Sequence, residues 1–182
     1  MKLYLARHGQ DTLDKRGGWS EEPLIAEGVV QIISLSKSLK QIHFDAVISS
    51  DIMRTRQTAE ILKDRLSLKE IIFDSGLREV NNGVLAGMDN DQALTQFPDL
   101  FWNSLAWDEP YPGGESPKAF FERINRWYKT FIEIYHSTDT VLVITHQGVI
   151  DALLCIIHNK TFTNRYVHFK IRTGQFIVVE VE

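Results

Sequence analysis

Four short apolar runs, KLYLA, DAVISS, EIIFD and TVLVIT, recur along the chain with helical segments between them. This alternation limits the fold more than any other feature. Short β-rich runs read as buried strands, and strands alternating with helices call for a mostly parallel sheet covered on both faces. AEGVVQIISLSKSLKQI places Val29, Ile32, Ile33 and Leu39 on an apolar helical face. A second helix begins in DIMRTRQTAEILKDRL, with Ser50 or Asp51 as its cap. A long amphipathic helix is expected from Ser116, its cap, to about Tyr135, and another from about Val149 to His158. The closing VHFKIRTGQFIVVEV alternates on both sides of Thr173-Gly174, which suggests an antiparallel hairpin at the sheet edge.

Residues 88–115 break the rhythm, with Phe97, Phe101, Trp102, Trp107 and Tyr111 among prolines and acids. An insertion of this kind commonly forms a lid. We expect a small helical cap within a single domain spanning residues 1–182.

Composition narrows the partners. The net charge is −4, so the overall field repels nucleic acid and phosphorylated ligands alike, and any phosphate site must rest on a local cationic cluster. The one cysteine, Cys155, excludes an intrachain disulfide, suits a reducing compartment, and sits in the apolar run ALLCII as a core residue. No stretch approaches the length of a membrane span, and LYLA is too short for a signal peptide. The expectation is a cytoplasmic protein with no membrane or nucleic-acid partner, as monomer or homodimer.

In an open parallel sheet, ligands bind beyond the carboxyl ends of the strands. Arg7 and His8 follow the first run; Ser49, Ser50 and Arg54 follow the second; Arg78 and Glu79 follow the third; His146 follows the fourth. If the strands are parallel, these groups meet at one end of the sheet. Guanidinium groups fork onto phosphate oxygens, and Gly9 lets the backbone approach an anion closely. The amides of Gln147 and Gly148, opening a helix, add donors at its positive end. A neutral, oriented histidine is a covalent nucleophile, and a glutamate delivers a proton to a leaving alkoxide. These parts make a phosphoryl-transfer site that needs no cofactor. His8, His146 and Glu79 also have the residue types of a metal site, yet Arg7 and Arg54 beside them would repel a cation. His43, His136, His158 and His168 fall in ordinary surface or structural contexts.

Six blocks in order, LARHGQ, GWSEEPLIAEGVVQ, FDAVISSDIMRTRQTAEIL, LREVNNGVLAG, PGGES and VLVITHQGV, resemble the histidine phosphatase superfamily, the branch that includes cofactor-dependent phosphoglycerate mutase. The resemblance implies a three-layer α/β/α sandwich, mostly parallel with an antiparallel edge. It implies that His8 forms a phosphohistidine, that Arg7, Arg54 and His146 hold phosphate oxygens, and that Glu79 protonates the leaving oxygen. No metal is implied. Asp11 and Asp14 stand where the family usually has Thr and Asn, and a carboxylate beside phosphate is disfavoured by like charge. A one-residue insertion would instead put Thr12 in the threonine role. HQG and VHFKIRTGQF are reminiscent of α-ribazole-phosphate phosphatases. Mutases of the family are generally longer, and the cap is acidic, with Asp89, Asp91, Asp99, Asp108 and Glu109. The expected function is therefore hydrolysis of a small phosphorylated metabolite. A mutase is the first alternative, and a non-catalytic phosphate- or phosphoprotein-binding module the second.

Overall fold

TVLVIT is apolar on both alternating faces because it lies in the middle of the sheet. A computed structural model, which describes residues 1–181, shows this strand, β4 (Thr140–Thr145), between two parallel neighbours. These are β1 (Lys2–Arg7) and β2 (Ala46–Ser49), in register Leu5↔Val143 and Ile48↔Val143. β3 (Ile72–Phe73) extends the sheet in parallel beyond β2, and β5 (Phe176–Glu180) closes the other edge antiparallel to β1. The order is β3-β2-β4-β1-β5. It is a mostly parallel α/β sheet with an antiparallel edge, as expected.

Side chains alternate between two cores. Leu3, Leu5, Val141, Val143 and Ile48 face one core, which contains α4 (Pro117–Ile134), α5 (Gln147–Ile157) and fully buried Cys155. Burial pushes the Cys155 thiol up to about 11, so it behaves as a small apolar side chain. Ala6, Val47, Leu142 and Ile144 face the opposite core, with α1 (Ala26–Leu39) and α2 (Met53–Leu66). Strands covered on both faces read as continuous apolar runs, which is why they were visible in the sequence. Among the described residues, no helix is long and apolar enough to cross a membrane.

Several local expectations change. EIIFD contributes only two ladder residues, Ile72 and Phe73, and both are exposed because β3 is an edge strand. The α2 cap is Ile52, without a side-chain bond, rather than Ser50 or Asp51. Ser50 binds His146 and Asp51 binds Arg78, so both side chains are occupied elsewhere. Ser116 does cap α4, accepting from Ala119 N–H at 3.1 Å. α5 starts at Gln147, directly after β4. The C-terminal hairpin is not formed, and only its second arm becomes a strand. The first arm is held instead by the side chain of Gln147, which donates to Phe169 O and accepts from Ile171 N–H, both at 2.9 Å. That pair of bonds substitutes for a ladder. Within residues 88–115 lies α3 (Asn90–Gln96), over a small cluster of Leu85, Ala93, Leu105 and Tyr111.

α1 meets the loop after β1 through two glycines. A Cβ on Gly28 would collide with the Gln10 carbonyl, and one on Gly9 would meet the Gly28 carbonyl. Gly28→Ala should therefore destabilise the protein by about 2 kcal/mol, the usual cost of overpacking, although alanine is the better helix former by about 1 kcal/mol. A lowered urea midpoint with an unchanged slope is the expected result.

Candidate active site

His8 leaves β1 with its amide still paired to Thr145 O at 3.1 Å, so the ladder itself aims the ring. Its Nδ1 lies 2.7 Å from Gly9 O. A carbonyl only accepts, so the ring proton sits on Nδ1 and Nε2 keeps its lone pair. His146, the residue after β4, places Nε2 2.9 Å from Ser50 Oγ, which comes from the end of β2. The two imidazoles have centroids 5.1 Å apart. Both are buried. Burial, reinforced by the positive charge of Arg54 and Arg7, holds both well below the usual histidine range. They are neutral at pH 7.

Arg54 lies in the first turn of α2 and is 2% exposed. Its Nη1 donates to Ser20 O at 3.1 Å, its Nη2 donates to Gly18 O at 2.7 Å, and its Nε is 3.5 Å from Asp11 Oδ2. Arg7 donates to Ile171 O at 2.9 Å. Arg7 Nε and His146 Nδ1 are buried without a hydrogen-bond partner among the described residues. The Ser50 hydroxyl can donate to Nε2 or accept from it, so Arg7 Nε is an unspent buried donor and His146 Nδ1 an unspent polar atom of either kind. Glu79 reaches the N-terminus of α5, accepting from Gly148 N–H and Val80 N–H at 3.1 Å each. Its charge acts on both Arg7 and Arg54.

The parallel sheet thus brings Arg7, His8, Arg54, Glu79 and His146 to one end. Other expected residues take different parts. Gly9 N–H donates to Thr58 Oγ1 at 3.1 Å and the residue packs on Gly28, so its smallness serves a helix contact. The amide of Gly148 is bound to Glu79, and the side chain of Gln147 ties down residues 169–171. Thr12 Oγ1 accepts from Asp14 N–H at 3.3 Å within its own turn, and it is Asp11 that reaches Arg54. Arg78 forks onto Asp51 at 2.6 and 2.7 Å and lies over Trp19, whose indole N–H donates to Glu79 O at 2.7 Å. Among the described residues, no group of three or more His, Cys, Asp or Glu is placed to hold a metal ion.

Asp11 and Gly148 have parts that the sequence reading did not give them, and Arg123 escaped it altogether. Asp11 enters as a carboxylate among cations, and burial raises its pKa although Arg54 pulls the other way. Gly148 is required because a Cβ there would overlap Glu79 Oε1. Arg123 forks onto Glu115 at 2.8 and 2.9 Å and donates to the carbonyls of Gly76, Arg78 and Glu79, which fixes the turn carrying Glu79. A signal existed for this last group: Glu115 immediately precedes the cap of α4, and Arg123 lies two turns into it.

A cavity of about 520 Å³ adjoins Glu79 and Gly148. Its walls come from the loop before Trp19, from residues 100–103 and Tyr111 of the expected cap, and from residues 162–167.

Residues 3–182 match the histidine phosphatase superfamily (branch 1), and the chain belongs to that family of phosphatase and mutase enzymes. Among its relatives is the "Probable phosphoglycerate mutase GpmB" of Escherichia coli O1:K1, 36% identical over 163 residues, which cover 86% of this chain and 73% of that protein. The fold is shared with the α-ribazole phosphatase from Shigella flexneri (TM-score 0.86, 23% identity, 100% of this chain and 91% of that one). YhfR of Bacillus stearothermophilus is similar as well (TM-score 0.87, 25% identity, again 100% and 91%).

Neutral burial of His8 and His146 has a consequence for stability. Their folded pKa values lie below the unfolded value, so the unfolded chain binds more protons in that window and stability falls as pH drops through about 6.5. The melting temperature should decline from pH 7 to pH 5. The decline should be shallower in His146→Gln, which cannot be protonated.

Proposed function

We propose that the protein is a phosphomonoester hydrolase working through a phosphohistidine on His8. The observation that carries this reading is the fixed tautomer of His8, with Nδ1 held by Gly9 O and the Nε2 lone pair free. Nε2 attacks phosphorus as the ester P–O bond breaks, and the carboxyl form of Glu79, favoured by the like charge of the bound phosphate dianion, gives its proton to the leaving alkoxide. Glu79 then takes a proton from water, whose oxygen attacks phosphorus. The P–N bond breaks and inorganic phosphate leaves. The cations Arg7 and Arg54 offset the charge gathering on the phosphoryl oxygens, and His146, in the tautomer with its proton on Nδ1, adds a donor. The single cysteine fits a cytoplasmic setting for the reaction.

The likeness to GpmB favours a second reading, mutase chemistry, in which the phosphoryl group returns to a bound intermediate. The acidic residues of 88–115 and the carboxylate of Asp11 beside Arg54 favour hydrolysis, because they oppose a doubly phosphorylated ligand. Phosphate release from phosphomonoesters in EDTA should fall at least about a thousandfold in His8→Ala, the scale of losing a covalent nucleophile. Acid-labile label from a ³²P-ester should appear on wild type and not on the variant. Undiminished release by the variant overturns the nucleophile, and activity that depends on a bisphosphoglycerate primer establishes the mutase.

Asp11 supplies a further check. Removing one like charge from a partly screened site should tighten inhibition by inorganic phosphate about tenfold in Asp11→Asn. A weaker or unchanged inhibition constant would show that the carboxylate does not face the bound anion.

A further inference from the structure

The cavity beside Glu79 has a composition that generic phosphate-ester chemistry does not require. Phe101, Trp102, Tyr111, Phe120, Phe162 and Tyr166 supply six aromatic rings to its walls. Trp102 is stacked near Tyr111, with centroids 6.3 Å apart, and meets Phe120 edge-on at 5.5 Å, so part of this wall is rigid. Flat apolar walls of this kind take a planar ring well.

The cavity also holds a cation with a buried donor that has no acceptor among the described residues. Two arginines line it. Arg165 is exposed to solvent and donates from one guanidinium nitrogen to Asn103 O. Arg16 lies over the Phe101 ring with its Cζ 4.9 Å from the centroid, while its Nε is buried and has no hydrogen-bond partner. The two carboxylates of the cavity do not serve it. Glu79 is bound to the amides of Val80 and Gly148, and Asp151 accepts from Phe169 N–H at 2.7 Å. The charge of Arg16 acts on Tyr111, whose hydroxyl burial nevertheless pushes up to about 12, so the phenol remains a proton donor beside the guanidinium. A buried guanidinium edge without an acceptor is costly, and an anionic ligand group relieves that cost.

We propose that this cavity receives the leaving alcohol as an aromatic ring bearing a second anionic group, and that Arg16 selects that group. The inference rests on Glu79 marking the leaving-group side of the phosphorus, as in the hydrolase reading. The ring stacks among the cap aromatics while the anion forks onto Arg16. A small acyclic ester such as a phosphoglycerate offers the anion without the ring and leaves the aromatic walls unfilled.

Steady-state rates on 3- and 4-carboxyphenyl phosphate, phenyl phosphate and 3-phosphoglycerate test the selection. Wild type should favour the better carboxyaryl ester over phenyl phosphate by about tenfold or more in kcat/KM, the scale of a charge-assisted hydrogen bond. That ratio should collapse in Arg16→Gln and largely recover in Arg16→Lys. Equal rates on the two aryl esters, or a ratio that survives in Arg16→Gln, overturns the role of Arg16. Phosphoglycerate turned over as well as the carboxyaryl ester overturns the aromatic preference. Binding of 3- and 4-hydroxybenzoate, followed by tryptophan fluorescence and calorimetry, needs no turnover. Saturable binding weakened about tenfold by Arg16→Gln supports the subsite even if no ester is hydrolysed, in which case it is the hydrolase reading that fails. Absence of binding to wild type overturns the subsite whatever the rates.

Discussion

A guanidinium at 2% exposure cannot be left without partners, and the loop between β1 and α1 is folded around that requirement. Arg54 collects the carbonyls of Gly18 and Ser20 and the carboxylate of Asp11, so three points of one loop are pinned to the first turn of α2. The same charge bears on both histidines and helps to keep them unprotonated. One buried cation thus shapes the loop beside the site and sets the protonation state of the groups inside it. Its surroundings are partly solved by backbone rather than by side chains, which leaves the site less acidic than a set of compensating carboxylates would.

The sheet was legible in the sequence because burial on both faces writes itself as uninterrupted apolar runs. β1 and β4 show this most clearly, since each has covered faces and two neighbours. β3 was overestimated for the reason that an apolar run of five residues does not reveal how many of them pair. The hairpin failed differently. VHFKI alternates like a strand, yet its backbone partners are the side chains of Gln147, Asp151 and Arg7, and alternation is blind to where hydrogen bonds go.

The site divides along a similar line. Arg7, His8, Arg54, Glu79 and His146 could be placed together because strand ends in a parallel sheet point the same way. Gly9 and Gly148 show the limit of that logic. Both glycines are demanded by close approach, but one is matched to a helix and the other to a carboxylate, and neither neighbour is local in sequence. Arg123 and Glu115 form their fork only once α4 is folded, so their hold on the Glu79 turn is a tertiary fact.

Gln147 joins matters that are usually separate. Its backbone opens α5 beside His146, and its side chain tethers the segment that continues from residues 162–167, one wall of the aromatic cavity. With Asp151 on Phe169 N–H and Arg7 on Ile171 O, the side chain of Gln147 holds that stretch where a ladder would otherwise be needed. A segment held by side chains rather than by a ladder can change sequence on either side without altering the sheet's register. In evolutionary terms, this wall of the aromatic cavity can vary without disturbing the sheet that carries the strand-end residues, and such a change costs the scaffold little.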